Sequence, residues 1–214
     1  MSVWTIVVAA GDSVRFGSDK QMADLFGKPV LVHALFTASQ VSDGLVVVTA
    51  PDRCLAVEEL VSETGITAKV VVGASTRSSS VRAGLAALPD DTEVVLIHDG
   101  ARPLASVNLF NRVLESVQTG NDAVVPCVAI SDSLRLIGGE ALDRDEVVVV
   151  QTPQGFDAQT LYKAHQSNDE ASDDATLIER LGRKVSVVEG EKSNIKITVP
   201  IDLKVAELYF VTGD

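Results

Sequence analysis

Val3-Trp4-Thr5-Ile6-Val7-Val8-Ala9 runs directly into Ala10-Gly11-Asp12-Ser13-Val14-Arg15-Phe16-Gly17-Ser18-Asp19-Lys20-Gln21. The first seven residues are almost continuously apolar and β-branched. A strand buried on both faces of a parallel sheet reads this way, because neither face meets water. Residues 10–21 are small, glycine-containing and cationic, as a ligand loop at a strand's carboxyl end would be. Comparable runs recur at Gly44–Thr49, Ala68–Val72, Glu93–His98, Asp122–Val128 and Val185–Val188. Helical spacing separates them: Leu31, Leu35 and Ala38 after Gly27-Lys28-Pro29, then Arg53–Glu63, then Val81, Leu85 and Leu88, then Val107–Val117. Strands alternating with helices predict βαβ units, hence an α/β fold around a mostly parallel sheet.

Ser131–Val150 interrupts the alternation. Ser133–Ile137 and Glu146–Val150 predict two strands of a hairpin joined through Gly138-Gly139, an element too small to be stable without a partner surface. Helices are then expected near Ala158–Ser167, near Asp173–Leu181 with Ser172 as its cap, and over Pro200–Phe210, with Val211–Asp214 frayed. At 214 residues the chain is expected to be a single domain. Its 30 acids against 18 bases give a net charge of −12, which argues against nucleic-acid or anionic-membrane partners. No apolar run reaches the roughly 18 residues of a bilayer span, and no basic stretch precedes Val3 to make a signal peptide. Cys54 and Cys127 predict two reduced, buried thiols and a cytoplasmic location.

Five segments come after strands. In the first, an amide-lined turn carrying Arg15 and Lys20 suits a polyphosphate. It is neither a Walker A motif nor a dinucleotide fingerprint, because no Gly-Lys-Ser/Thr comes next and Ser13 stands where the second glycine would be. A solvated surface loop is the alternative. The second, Gly73-Ala74-Ser75-Thr76-Arg77-Ser78-Ser79-Ser80, is a hydroxyl-rich turn before a helix, suited to an anion or a base edge, or simply to N-capping by one serine. In the third, His98-Asp99-Gly100-Ala101-Arg102-Pro103, Asp99 holds Mg²⁺ or a ribose hydroxyl, or else pairs with Arg102. The fourth, Gln151-Thr152-Pro153-Gln154, reads only as a loop after a strand. In the fifth, alternation predicts Asn194, Lys196 and Thr198 on one strand face, with Lys196 a phosphate ligand or an edge-strand guard. His33, His98 and His165 lack metal-ligand spacing, and no Gly-x-Ser-x-Gly elbow is present.

Together, and in this order from Ala9 to Glu207, these segments resemble the 2-C-methyl-D-erythritol 4-phosphate cytidylyltransferase family. Asp173-Asp174-Ala175 and Asp202-Leu203 belong to the same pattern. The resemblance implies a nucleotidyltransferase-type Rossmann-like fold and a homodimer. It also implies transfer of CMP from CTP to 2-C-methyl-D-erythritol 4-phosphate with Mg²⁺, releasing pyrophosphate for isoprenoid-precursor synthesis. It assigns Arg15 and Lys20 to the transition state. Ala9, Ala10, Gly11, Asp12, Ser13, Gly73, Arg77, Ser80 and Asp99 fall on the nucleotide side, with Asp99 near the metal. Asp132, Ser133, Arg144, Lys196, Arg102 and Ser172 fall on the acceptor side. The 131–150 segment corresponds to an arm that crosses to the neighbouring subunit and carries Arg144 with it. Ser13 and Ala74 replace glycines of the family pattern, the loop before Lys20 is shortened, and Ser172 stands where threonine is common. Two other readings fit the residues: a cytidylyltransferase for another polyol phosphate such as ribitol 5-phosphate, and a nucleotide-binding regulatory protein without catalysis.

Overall fold

The computed structural model describes residues 1–167 and 169–212. Eight strands form the central sheet: β1 (Val3–Ala9), β2 (Gly44–Thr49), β3 (Ala68–Val72), β4 (Val94–Asp99), β5 (Ala123–Ala129), β6 (Val148–Val150), β7 (Gln154–Asp157) and β8 (Val185–Glu189). Across the sheet the order is β8-β5-β7-β4-β1-β2-β3. β6 pairs with the same edge of β5 as β7 does, since both β6 and β7 overlap residues whose other edge meets β8. β1, β2, β3 and β4 are mutually parallel, as are β5 and β8, whereas β6 and β7 run antiparallel to their neighbours. The fold class read from the sequence is therefore the observed one.

Alternation along each strand splits the core into two layers. Val7, Leu45, Val47 and Leu96 face α1 (Val30–Ser39), α2 (Cys54–Thr64) and α4 (Val107–Gln118). Ile6, Val46, Val48, Val95 and Ile97 face α3 (Arg77–Leu85), α5 (Ala158–His165) and α6 (Asp174–Arg180). Each fully buried Leu or Ile contributes about 1.5–3 kcal/mol relative to exposure. Covering both faces leaves only the strand ends and connecting loops for chemistry.

Gln151-Thr152-Pro153-Gln154, read as a loop, opens the central strand β7 at Gln154, between β5 and β4, and five further expectations are corrected. Glu146–Val150 does not pair with Ser133–Ile137. Instead Leu134-Arg135 pairs with Ala141-Leu142 as a small ribbon, and Val148–Val150 returns to the main sheet beside residues 127–129, the end of β5 that β7 leaves uncovered. Asn194–Thr198 is not a strand: Asn194 is buried, whereas Lys196 is exposed and lines the cavity with Thr198, so the three polar side chains do not share one face. α6 is capped by Asp173, whose Oδ1 accepts from Thr176 N at 2.9 Å, and not by the exposed Ser172. Cys54 is only half-buried, because it opens α2 at the sheet edge, while Cys127 is buried in the core. α7 (Pro200–Thr212) extends two residues into the segment expected to fray, whose last two residues, 213 and 214, lie outside the described ones. No described helix is long and apolar enough to cross a membrane.

Candidate active site

The carboxyl ends of β1, β2, β3 and β4 open into one cavity of about 760 Å³. Its floor is the 10–15 loop and the 73–77 turn, and Lys20, Asp99 and Lys196 close one side. The cavity brings together Ala10, Gly11, Asp12, Ser13, Arg15, Lys20, Gly73, Arg77, Ser80, Asp99 and Lys196 from the residues singled out in the sequence. Ala9 and Arg102 are buried behind this wall. Asp132, Ser133, Arg144 and Ser172 are exposed and not among the residues lining it. Arg144 donates to the carbonyl of Ser131 at 2.7 Å, within its own segment.

Local chemistry explains each wall. Ser13 sits at φ +54°, a left-handed conformation in which its carbonyl accepts from Phe16 N and Gly17 N at 2.9 and 3.2 Å, closing the turn. Phe16 is buried against Leu25, Val30 and Ile197 and so pins the loop to the body. Gly73 is required by close approach: a Cβ there would stand 2.8 Å from Ala10 Cβ and 2.9 Å from Ser80 Oγ. α3 is capped by Thr76, whose Oγ1 accepts from Ser79 N at 3.1 Å while Ser79 Oγ accepts from Thr76 N at 3.0 Å. The Ser80 hydroxyl is engaged with both backbone groups of Ala74, accepting at 3.1 Å and donating at 3.2 Å. These hydroxyls thus shape the turn, and the capping alternative accounts for Thr76 and Ser79.

Two buried carboxylates hold the cations. Asp174 is fully buried on α6; its Oδ2 takes Arg77 Nη1 at 2.6 Å and its Oδ1 lies 3.1 Å from His165 Nε2. Burial alone would push Asp174 up, but His165 and Arg77 bring it below the usual carboxylate range. The Arg77 guanidinium is desolvated too, yet Asp174 and Asp99 outweigh this and raise it above its ordinary value. Asp99, at the end of β4, takes Lys196 Nζ at 2.9 Å and lies 3.5 Å from Arg102 Nε, too poorly aligned there for a hydrogen bond. Burial opposes its ionisation, and Lys196, Arg77 and Arg102 overcome that to hold it well below the ordinary range. The anticipated Asp99–Arg102 pair therefore exists, but Asp99 also anchors Lys196 in the cavity. Lys20 is pushed down by burial, Lys196 and Arg15, partly offset by Asp99 and Asp202. Cations crowded to this degree favour an anion between them.

Behind Asp99 lies a polar network that the sequence did not reveal. The Thr152 hydroxyl accepts from Asp99 N at 3.0 Å and donates to His98 Nδ1 at 3.1 Å, leaving Nε2–H of His98 to donate to Arg102 O at 3.1 Å. Burial pushes His98 down to about 4, so it is neutral at neutral pH. Arg102 Nη1 and Gln151 Nε2 donate to Asn194 O at 2.7 and 3.3 Å, and Asn194 Nδ2 donates to Thr152 O at 2.9 Å. The Gln151-Thr152-Pro153-Gln154 segment thereby fixes the irregular 194–198 stretch, and Ile197 N adds a backbone bond to Ala101 O at 2.8 Å. Gln21, Thr198 and Pro51 also line the cavity, though the sequence reading gave them no role. Pro51 comes just after β2, at a strand end of the kind where ligands gather, while Gln21 and Thr198 lie in the first and fifth segments beside Lys20 and Lys196. Among the described residues, no three His, Cys, Asp or Glu side chains come together as a cation site.

Residues 3–212 match the family described as 2-C-methyl-D-erythritol 4-phosphate cytidylyltransferase. A protein of that name from Rhodococcus jostii is 40% identical over 225 residues, covering 99% of this chain and 96% of its own. The crystal structure of 4-diphosphocytidyl-2C-methyl-D-erythritol synthase from Anaerococcus prevotii superposes with a TM-score of 0.87 at 32% identity, covering 98% of this chain and 96% of that one. The cytidylyltransferase structure from Thermus thermophilus gives 0.81 at 34% identity, covering 97% and 98%.

Proposed function

The chain belongs to the 2-C-methyl-D-erythritol 4-phosphate cytidylyltransferase family, and from that premise we propose how its own residues carry the CTP-dependent cytidylyl transfer of isoprenoid-precursor synthesis. In the reaction a phosphate oxygen of methylerythritol phosphate forms a bond to the α-phosphorus of CTP. The bond from that phosphorus to the bridging β-phosphate oxygen breaks, and its electron pair leaves with pyrophosphate. No covalent enzyme intermediate is needed, so the protein's task is alignment of two anions and neutralisation of charge.

The observation that carries this reading is the convergence of Arg15, Lys20, Arg77 and Lys196 on one cavity in a chain of net charge −12. Gly11, Asp12 and Ser13 supply the amide-lined turn for the triphosphate, and Arg15 and Lys20 meet the charge that grows as pyrophosphate departs. Arg77 and the 73–76 backbone face the cytidine. Lys196, released from Asp99 by a competing phosphate, holds the acceptor. Asp99, kept ionised by its cationic neighbours, is the carboxylate that would hold a Mg²⁺ there, a hard cation that takes oxygen ligands. Bound there, Mg²⁺ would neutralise phosphate charge.

The acceptor side is completed by a second copy. Leu136, Ile137, Leu142, Val148 and Val149 leave the 131–150 arm exposed and apolar, which supports its packing on a partner. That packing would deliver Asp132, Ser133 and Arg144 to the neighbour's cavity, with Arg102 supporting the wall from behind.

Pyrophosphate release is measured with CTP, Mg²⁺ and either methylerythritol phosphate or ribitol 5-phosphate. Turnover with a higher kcat/KM for methylerythritol phosphate is expected. Preference for ribitol phosphate, or CTP binding by calorimetry without turnover, overturns the assignment in favour of one of the other two readings.

A further inference from the structure

Arg53 stands just after β2 and takes no part in the cavity wall, yet it joins both ends of the loop that does. Its Nη2 donates to the carbonyls of Ala10 at 3.3 Å and Gly11 at 3.0 Å, where the loop begins. Its Nη1 lies 3.2 Å from Asp19 Oδ1, where the loop ends, and the same oxygen accepts from Gln21 N at 3.0 Å. The side chain is only 16% exposed. We propose that Arg53 is the positioning residue of the phosphate loop, setting both its amides and Lys20 for the CTP triphosphate; this rests on the cytidylyltransferase reading above.

One guanidinium has three physical consequences here. In a trans peptide the C=O and the next N–H point in opposite directions, and the only cis bond among the described residues is Thr152–Pro153. Drawing the Ala10 and Gly11 carbonyls toward Arg53 therefore turns the N–H groups of Gly11 and Asp12 to the other side, and both residues line the cavity. Engaging Asp19 occupies the carboxylate adjacent in sequence to Lys20, which would otherwise be free to pair with that ammonium and withdraw it from phosphate. Finally, the fork spans from residue 10 to residue 19, so one rigid planar group fixes the separation of the loop's ends. A lysine has neither the second branch nor the planarity to do this. The bracing matters in this chain because Ser13, at positive φ, lacks the conformational freedom of glycine and cannot itself absorb a displaced loop.

The test compares wild-type protein with Arg53→Ala and Arg53→Lys, measuring kcat, KM for CTP and KM for methylerythritol phosphate beside thermal melting. Arg53→Ala is expected to lower kcat/KM for CTP by about 10–10²-fold, as small misplacements of a catalytic constellation do, with the acceptor KM unchanged. Arg53→Lys should not restore it. Millimolar methylguanidinium should recover part of the activity of Arg53→Ala but none of Arg53→Lys, whose side chain still fills the site. Combined with Lys20→Ala, the loss in kcat should be less than additive, since part of it acts through Lys20. Unchanged kcat/KM for CTP, full additivity with Lys20→Ala, or KM values that rise equally for both substrates in step with a fall in Tm would each overturn the proposal. A wild-type protein that turns over no CTP would instead remove the functional reading on which it stands.

Discussion

The cavity wall and the 131–150 arm both carry arginines assigned to a substrate, but they hold them in opposite ways. Arg77 is tied to a fully buried carboxylate 97 residues away in sequence, across a 2.6 Å contact. Arg144, with a side chain 53% exposed, donates to Ser131 O and approaches Asp145 at 3.9 Å, both within its own segment. The first cation is preorganised by the chain's own tertiary fold; the second is not. Preorganised charge requires little rearrangement when the transition state forms, whereas an exposed side chain must be ordered at a cost of roughly 1–2 kcal/mol. On the function proposed above, nucleotide binding would be built into the single chain, and acceptor binding would depend on assembly.

Substitutions can break or sharpen that contrast. Lys20→Ala should lower kcat by about 10²–10³-fold while changing KM less, because the charge it meets develops in the transition state. Steady-state kinetics with saturating acceptor checks this, and an unchanged kcat removes Lys20 from the catalytic role. Asp174→Ala leaves Arg77 and His165 without their carboxylate and should cost about 3 kcal/mol of stability, read from denaturant midpoints. A loss below about 1 kcal/mol, the range of exposed pairs, would place the wall on the same footing as the arm.

Acidification probes the wall through His98. Its value in the folded protein is about 4, against 6.5 unfolded. Between those values only the unfolded chain binds the proton, so the contribution is fully present above about pH 6.5 and falls as pH descends to 4. The expected loss from this group is about 3 kcal/mol, and His98→Gln should flatten that part of the stability profile.

Arg144→Ala should raise KM for methylerythritol phosphate by about 10–10²-fold, the loss of a charged hydrogen bond, with KM for CTP unaltered. Mixing the Lys20→Ala and Arg144→Ala chains sharpens it. If Arg144 serves the neighbour, mixed dimers hold one intact site and activity returns; if it serves its own subunit, none does. The smallest effect is expected at Ser13. Ser13→Gly relieves a non-glycine residue at φ +54° and an unpartnered buried hydroxyl, offset by glycine's entropy. A net gain of about 0.5 kcal/mol is expected by thermal melting.

The parallel strands of the main sheet and their helices were legible because burial on both faces writes itself as continuous apolar runs, whereas the short antiparallel β6 and β7 were not. The loop at 10–20 and Asp99 were legible from a single rule, that ligands gather at the carboxyl ends of such strands. Lys196 was reached by a wrong route: its alternation suggested a strand, whereas Asn194, Arg102 and Gln151 hold an irregular segment by side-chain hydrogen bonds. Arg53 and Asp174 were not singled out as parts of the site, since nothing local distinguishes an arginine that spans a loop from one that is solvated.

By itself the sequence determined the class of fold, the alternation of parallel strands and helices and which of those strand ends would carry chemistry, because these depend on periodicity and on short-range chain geometry. Only the tertiary structure decided which charges are partnered, with Arg77 held by Asp174, Lys196 by Asp99 and the loop by Arg53. Those pairings join residues far apart along the chain, and Coulomb attraction depends on separation in space and on the burial around it, neither of which is written in local residue order.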